Sequence, residues 1–574
     1  ATYQAERAIL TSGAVKGFSR LKVLSFNRLE FMLCRDRAAS RDISRLGREM
    51  VVSRVLRENL EDLQVYRDTA HLPGLAAELT DTIVEMHECN KGPEDIREFV
   101  DGLAGKAGGE MLSMKMSDIA VVFEKYLEFL DGGFVNPDIQ LTYARQHVAD
   151  ADFIKGCDLW VDGFAGFTAQ QRVLLAEMAR AAERTHVALC LDPEKIDAVN
   201  PRAEELDPAS MFSLTERTFV ELAEIFHEAK VKIQDPVKLR QIHRFKDVPA
   251  LGHIERNIFG AGSSKIQAGE NVAVSMAADR RAEVLFTARK IVDLVREKDF
   301  RFRDIAVIAS DIGAYQHYIE ATFKDFGIEF FIDTPKPMAQ HPVIELICSA
   351  LSIGLDGFSS EDVFAYMKTG LVGLDNFQTD LLENYCLAFG IDGNTWISGR
   401  NWDFAGEQSG FDDTQIDKLR RRVTSGLVGF RDKLQADGMT AGEFTRAVFD
   451  LLKGLDVQKQ VGQWVEGGDE NEASQHQQFF ARLVEIFDEL VEVFADQAMT
   501  SAELSEILQN AFSSMTLKLI PQKLDQALVG SIDRSRHPEL KAVFLIGTTQ
   551  KQFPSAVSPD TILTEDDREL AEAN

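Results

Sequence analysis

Cys157-Asp-Leu-Trp-Val-Asp-Gly-Phe164 reads as a strand that ends in a glycine turn. A helix follows from Ala169 to Ala182, then a second strand from Thr185 to Leu191. Parallel strands cannot be joined by a hairpin and need a crossover, so this order points to a parallel α/β sheet. The order recurs: strand Asn271–Ser275, helix Arg280–Lys298, strand Ile305–Ala309, helix Tyr315–Phe326, strand Ile328–Ile332. Strand patterns then stop, and return at Leu517–Ile520, Ala527–Gly530 and Ala542–Gly547. The interval is helical; Phe479, Phe480, Leu483, Phe487, Leu490, Val491 and Phe494 form one stripe at helical spacing. Late strands need sheet partners, so they are expected to rejoin the earlier sheet. The expected fold is α/β, with two parallel-sheet domains and helical insertions. Residues 1–268 form a first α/β domain with its own helical insertion. Residues 269–355 and 510–574 form a second, and 356–509 are a helical insertion within it. Residues 195–268 are polar and broken by prolines, with Gly260, Gly262, Ser263 and Ser264 as a linker. Leu21–Phe26 reads as a short buried strand, followed by a long helix from Arg28 toward Leu60 and mostly helical sequence over 61–150.

The chain has 574 residues, enough for three or four domains or two large ones. Its net charge is −29, from 63 basic and 92 acidic residues, which argues against a general nucleic-acid coating protein. Residues 1–60 hold twelve Lys/Arg against six Asp/Glu, a balance of +6, so the remaining 514 residues carry −35. A basic face on an acidic body can focus a polyanion onto one track, or it can meet an acidic neighbouring face. No run of about 18 apolar residues suggests a transmembrane helix. The chain opens at Ala1 in polar, helix-like sequence with no signal-peptide pattern, and is expected to be a piece of a longer, cytoplasmic protein.

Several chemistries lack their residues. A phosphate-cradling loop needs Gly-x-x-x-x-Gly-Lys-Ser/Thr, and Gly105-Lys106-Ala107 has neither the hydroxyl nor the earlier glycine. Six cysteines and eleven histidines show no metal-ligand spacing. Pro137-Asp138 and Pro559-Asp560 have no convincing downstream Glu-x-Lys for a metal-dependent nuclease, and no Ser/His/Asp elbow is present. No catalytic or metal-binding residue is therefore assigned.

Four separated segments occur in a telling order. They are Ala1-Thr-Tyr-Gln-Ala-Glu-Arg7 with Val23-Leu-Ser-Phe-Asn-Arg-Leu29, then Trp160–Phe167. Ile305–Ser310 with Phe326–Asp333 comes third, and Val529–Arg536, Val543–Pro554 and Asp566–Leu570 make the fourth. Together they resemble the AddB/RexB subunit of bacterial helicase–nuclease complexes that process double-strand DNA ends, and more distantly a superfamily 1 helicase. The resemblance runs from Ala1 to about Leu570. The motor motifs depart from the helicase pattern. Ala309-Ser310 stand where an arginine reaches the nucleotide, and Gly163 follows Asp162 in place of a glutamate. Arg536-His-Pro-Glu-Leu-Lys541 replaces a Lys-Gly-Leu-Glu stretch.

The resemblance implies a non-motor subunit that binds single-stranded DNA and scans it for a recombination hotspot, as a heterodimer with a larger A-type helicase–nuclease subunit. It implies ATP with magnesium and a 4Fe-4S cluster for the full-length protein, and none of these within this stretch. The positions matching the family's DNA-contacting residues are Thr2, Phe26, Arg28, Phe31 and Phe164; Phe31 stands where a tryptophan is often found. Aromatic rings stack on bases and cations meet phosphates, which is the chemistry single-strand binding requires. Two alternatives stand beside it: an active helicase cut before its nucleotide loop, and a scaffold for the motor subunit that never touches DNA.

Overall fold

The computed structural model describes residues 2–11, 13, 17–34, 41–103, 109–131, 134–135, 141, 144–192, 201–203, 206–240, 244–259, 264–406, 410–436, 438–466, 470–495, 497–517, 525–532, 540–550, 552–554 and 562–572. Gly105–Ala107, Pro137-Asp138, Gly260–Ser263, Arg536 and Pro559-Asp560 lie outside these residues, as does the side chain of Thr2.

Ten strands pair in four sheets among the described residues. The largest contains β5 (Ile305–Ala309), β6 (Phe330–Ile332), β9 (Ala527–Ser531) and β10 (Ala542–Leu545) in the order β10-β5-β9-β6. All three of its pairings are parallel, with Val543 opposite Ala306, Val307 opposite Val529, and Phe331 opposite Leu528. The strands after the helical block thus pair with those before it. In β5 four of five residues are buried, as expected of a strand covered on both faces. Val284, Ala288 and Ile291 of the Arg280–Glu297 helix and Ile319 and Phe323 of the Gln316–Asp325 helix belong to the same core. Each large aliphatic or aromatic side chain among them contributes roughly 1.5–3 kcal/mol on burial.

A second parallel pair joins β3 (Asp158–Val161) to β4 (Arg184–Val187), with Trp160 opposite His186. Leu159, Val161 and Val187 pack inward, while Asp158, Trp160 and Arg184 are exposed on the other side. The crossover helix, Ala169–Ala181, starts at a capping box in which Thr168 and Gln171 satisfy each other's backbone N–H groups. The remaining strands form two short pairs, β1 (Arg41–Asp42) with β2 (Phe134–Val135) and β7 (Lys336–Pro337) with β8 (Thr516–Leu517).

The largest core runs through Ile43–Leu130 and Met338–Leu517 together. It therefore crosses the boundaries that the sequence suggests at 268 and 356. Buried within it, Asp118 accepts backbone hydrogen bonds from Gln64, Val65 and Tyr66 at 2.7–3.1 Å.

Several local expectations are corrected. Leu21–Ser25 joins no ladder among the described residues, and Phe26 opens a helix, α1 here (Phe26–Leu33), instead of ending a strand. Ser25 is the reason: its hydroxyl caps the Arg28 N–H at 3.4 Å, and Phe26, Leu29 and Leu33 then share one helical face. The long helix expected from Arg28 toward Leu60 is two helices, α1 and α2 (Arg45–Glu58), with Ser44 capping the second. Asn271–Ser275 is not a strand; Val274 is 95% exposed and has no ladder partner among the described residues. Leu517 pairs antiparallel with Lys336, outside the parallel sheet. The polar stretch 195–268 also holds two helices, Ser213–Glu228 and Pro249–Asn257.

Candidate nucleic-acid interface

The resemblance points to five residues as DNA contacts, and the four whose side chains are described divide into two groups by environment. Phe26 faces inward from α1 and meets Phe164 edge-to-face, with ring centroids 5.4 Å apart and planes at 71°. Phe167 completes the cluster at 6.0 Å from Phe26 and 5.1 Å from Phe164. Phe26 and Phe164 are half-buried and pack against the core that holds Val161 and Leu175. Edge-to-face pairs of this kind add about 0.5–1.5 kcal/mol beyond area burial. Phe164 reaches this position because β3 ends at Val161 and Gly163 turns the chain at φ +83°, in the left-handed region that a side chain disfavours.

Arg28 and Phe31 lie on the opposite, outer side of α1. They are three residues apart, so they are neighbours on one helix surface. Arg28 is exposed and Phe31 is 68% exposed. The fold thus brings Phe26 to Phe164 although 138 positions separate them, and keeps Arg28 and Phe31 on the adjoining surface. Thr2 lies in the helix Thr2–Thr11, with its side chain outside the described residues.

The basic N-terminal segment is only partly available to an outside anion. In α2, Arg45 pairs with Glu49 and Asp81, and Arg54 pairs with Glu58 while also reaching the Val493 carbonyl. Arg57 bridges Glu503 and Glu506 at 3.1 and 3.6 Å. Ser44 adds a hydrogen bond to Glu489 at 2.8 Å. This half of the segment meets an acidic helical surface within the chain. Lys22, by contrast, lies 5.8 Å from the Phe153 ring, within cation–π range.

At the carboxyl ends of β5 and β10, Ser310 donates to the Gln552 carbonyl at 2.6 Å. Glu283 accepts from the Tyr315 hydroxyl at 2.8 Å and from the Gly547 N–H at 3.0 Å. Burial, reinforced by the Glu283 carboxylate, pushes the Tyr315 phenol up to about 12. Ser310 and Glu283 thus make these bonds within the chain itself. No group of three or more His, Cys, Asp or Glu able to hold a metal occurs among the described residues. They offer no four-cysteine set for an iron–sulfur cluster.

One aromatic feature lies outside the residues singled out from the sequence. Trp160, 70% exposed, stacks on His186 at 4.0 Å with 14° between planes. The alternation of Asp158 and Trp160 outward with Leu159 and Val161 inward is the signal that could have found it.

Residues 1–255 match the family described as ADDB, N-terminal. Over 99% of its length the chain is 33% identical to the B-type subunit of the ATP-dependent helicase/deoxyribonuclease of Symbiobacterium thermophilum, covering 51% of that protein. It is 33% identical to the protein of the same name from Moorella thermoacetica, over 99% of this chain and 50% of the relative. The chain is thus similar to the N-terminal ADDB family model over residues 1–255 and to these B-type subunits over almost its whole length. It spans about half the length of these curated relatives. Among its described residues no helix is long and apolar enough to cross a membrane.

Proposed function

We propose that this chain is part of the non-motor subunit of a cytoplasmic helicase–nuclease complex that resects double-strand DNA ends for recombinational repair. In this reading it binds the single strand leaving a larger A-type helicase–nuclease partner and scans it for a recombination hotspot. The observation that carries the reading is the outer surface of α1, where Arg28 and a 68% exposed Phe31 adjoin the Phe26–Phe164–Phe167 cluster. An exposed ring beside a cation can stack a base and hold its phosphate. Similarity to the N-terminal ADDB family model and to these B-type subunits supports the larger context. The family's ATP, magnesium and iron–sulfur cluster are assigned in this reading to parts of the longer protein outside these residues.

Phe26 and Phe164 support the surface from beneath and shape it; Arg28 and Phe31 make the contact. The test is a salt titration of single-strand affinity with the partner present, with and without the hotspot sequence. Phe31→Ala should weaken binding by roughly tenfold with little salt dependence, since base stacking is worth about 1–3 kcal/mol. Arg28→Ala should lower the salt slope by nearly one unit if it holds a phosphate. If it reads a base, the loss should fall mainly on the hotspot. Unchanged affinity and hotspot response in both variants would favour the scaffold role.

A further inference from the structure

A cleft of about 620 Å³ opens in the helical block between α3 (Asp413–Leu434), α4 (Ala441–Gly454) and α5 (Val457–Glu466). That volume suits a small ligand. Buried Val423, Phe430 and Leu451 line it with apolar surface. Gly426 and Gly429 leave the α3 side without side chains, and a Cβ at Gly429 would have nothing within 4 Å.

The rim is cationic. Lys433 pairs with Asp450 at 2.8 Å, but Arg422 and Lys459 have no carboxylate partner among the described residues. Arg422 lies across the Gly373 backbone, where an added Cβ would stand 3.0 Å from a guanidinium nitrogen. Gly373 has φ +74°, so both conformation and space exclude a side chain there. Asp456 is the remaining acid on the rim. With Lys433 and Asp450 offsetting each other, Arg422 and Lys459 against Asp456 leave one net positive charge, in a chain of net charge −29.

We infer that this cleft is a binding site for a phosphate ester, with Arg422 and Lys459 on the phosphate and the apolar wall against the attached nucleoside. A planar guanidinium takes phosphate oxygens in pairs, and an ammonium adds a point charge. Apolar wall and cationic rim together match a ligand with one flat apolar end and one anionic end. The phosphate can come from a free nucleotide or from a DNA terminus. The site is separate from the α1 surface and stands without it.

The test is calorimetric titration of the full chain with ADP, and with a short oligonucleotide carrying or lacking a 5′-phosphate. Saturable ADP binding is expected, weakened about tenfold or more by Arg422→Ala and by Lys459→Ala, since hydrogen bonds to charged groups are the strong ones. Gly429→Leu fills the cleft without changing its charge and should lower affinity without lowering the melting temperature, since leucine favours the helix more than glycine does. Binding of ADP in preference to the oligonucleotide assigns the site to free nucleotides. A gain in oligonucleotide affinity from the 5′-phosphate, abolished by Arg422→Ala, assigns it to DNA ends. Arg28→Ala and Phe31→Ala should leave ADP binding unchanged, so failure of the α1 surface and failure of this site give different results. Absence of saturable binding by both phosphorylated probes, or binding indifferent to all three cleft substitutions, overturns the inference.

Discussion

Phe31 and Phe164 are both phenylalanines at positions matched to DNA contact, yet their removal should have opposite signatures. Phe31 is 68% exposed, so Phe31→Ala should change folding stability by no more than about 0.5 kcal/mol while weakening DNA binding. Phe164 contacts two rings, so Phe164→Ala should cost about 1–3 kcal/mol of stability, read as a lower denaturant midpoint. Loss of stability in the Phe31 variant comparable to that in Phe164→Ala would show that exposure does not separate their roles. Asp118 tests burial more severely. Asp118→Ala removes the acceptor for three backbone N–H groups in the core and should cost about 3 kcal/mol or more in urea unfolding. Phe26 stands out in the sequence, but its setting does not. A short apolar run gives no means of telling strand from helix, and only Ser25 followed by Leu29 and Leu33 at helical spacing identifies the turn.

Legibility also varies between elements. β5 is readable to the residue, because Ile305-Ala-Val-Ile-Ala309 is continuously apolar, as a strand buried on both faces must be. Asn271–Ser275 has a similar strand-like composition but no ladder partner among the described residues; strand pairing depends on distant residues that a local pattern does not contain. The basic balance of the N-terminal segment is also legible, but not its division: in α2, Arg57 is drawn to acids more than four hundred positions away. At the C-terminal end, Lys115 holds Asp567 at 2.8 Å, both side chains largely buried. Burial alone would raise Asp567, but the hydrogen bonds from Lys115 and Thr564 outweigh it and hold the carboxyl below its ordinary value. A lowered folded-state pKa contributes stability above the unfolded value of about 4, lost as pH falls through the folded value. Asp567→Asn should therefore lower stability at neutral pH and flatten its decline below about pH 4, measured by urea unfolding at several pH values. An unchanged acid limb would show that this pair is not among the groups that set it.

For the whole molecule, we expect the α/β framework to stand without motor chemistry. Phosphoryl transfer depends on a positioned lysine, magnesium and arginine. Gly163 follows Asp162, and Ser310 is hydrogen-bonded to Gln552, at the positions where the resemblance implies a glutamate and an arginine. The purified chain should show no DNA-stimulated ATP hydrolysis above background; turnover at an ordinary motor rate would overturn this and favour the active-helicase alternative. The large core adds a constraint of time. Leu56 and Leu490 belong to one packed unit, so the apolar surface of the earlier segment waits for its cover while more than four hundred further residues are made. At typical elongation rates that interval is roughly 20–90 s, long compared with the roughly 0.1–100 microseconds of hydrophobic collapse. During that wait the nascent chain presents a greasy flank, the kind of surface that chaperones exist to cover.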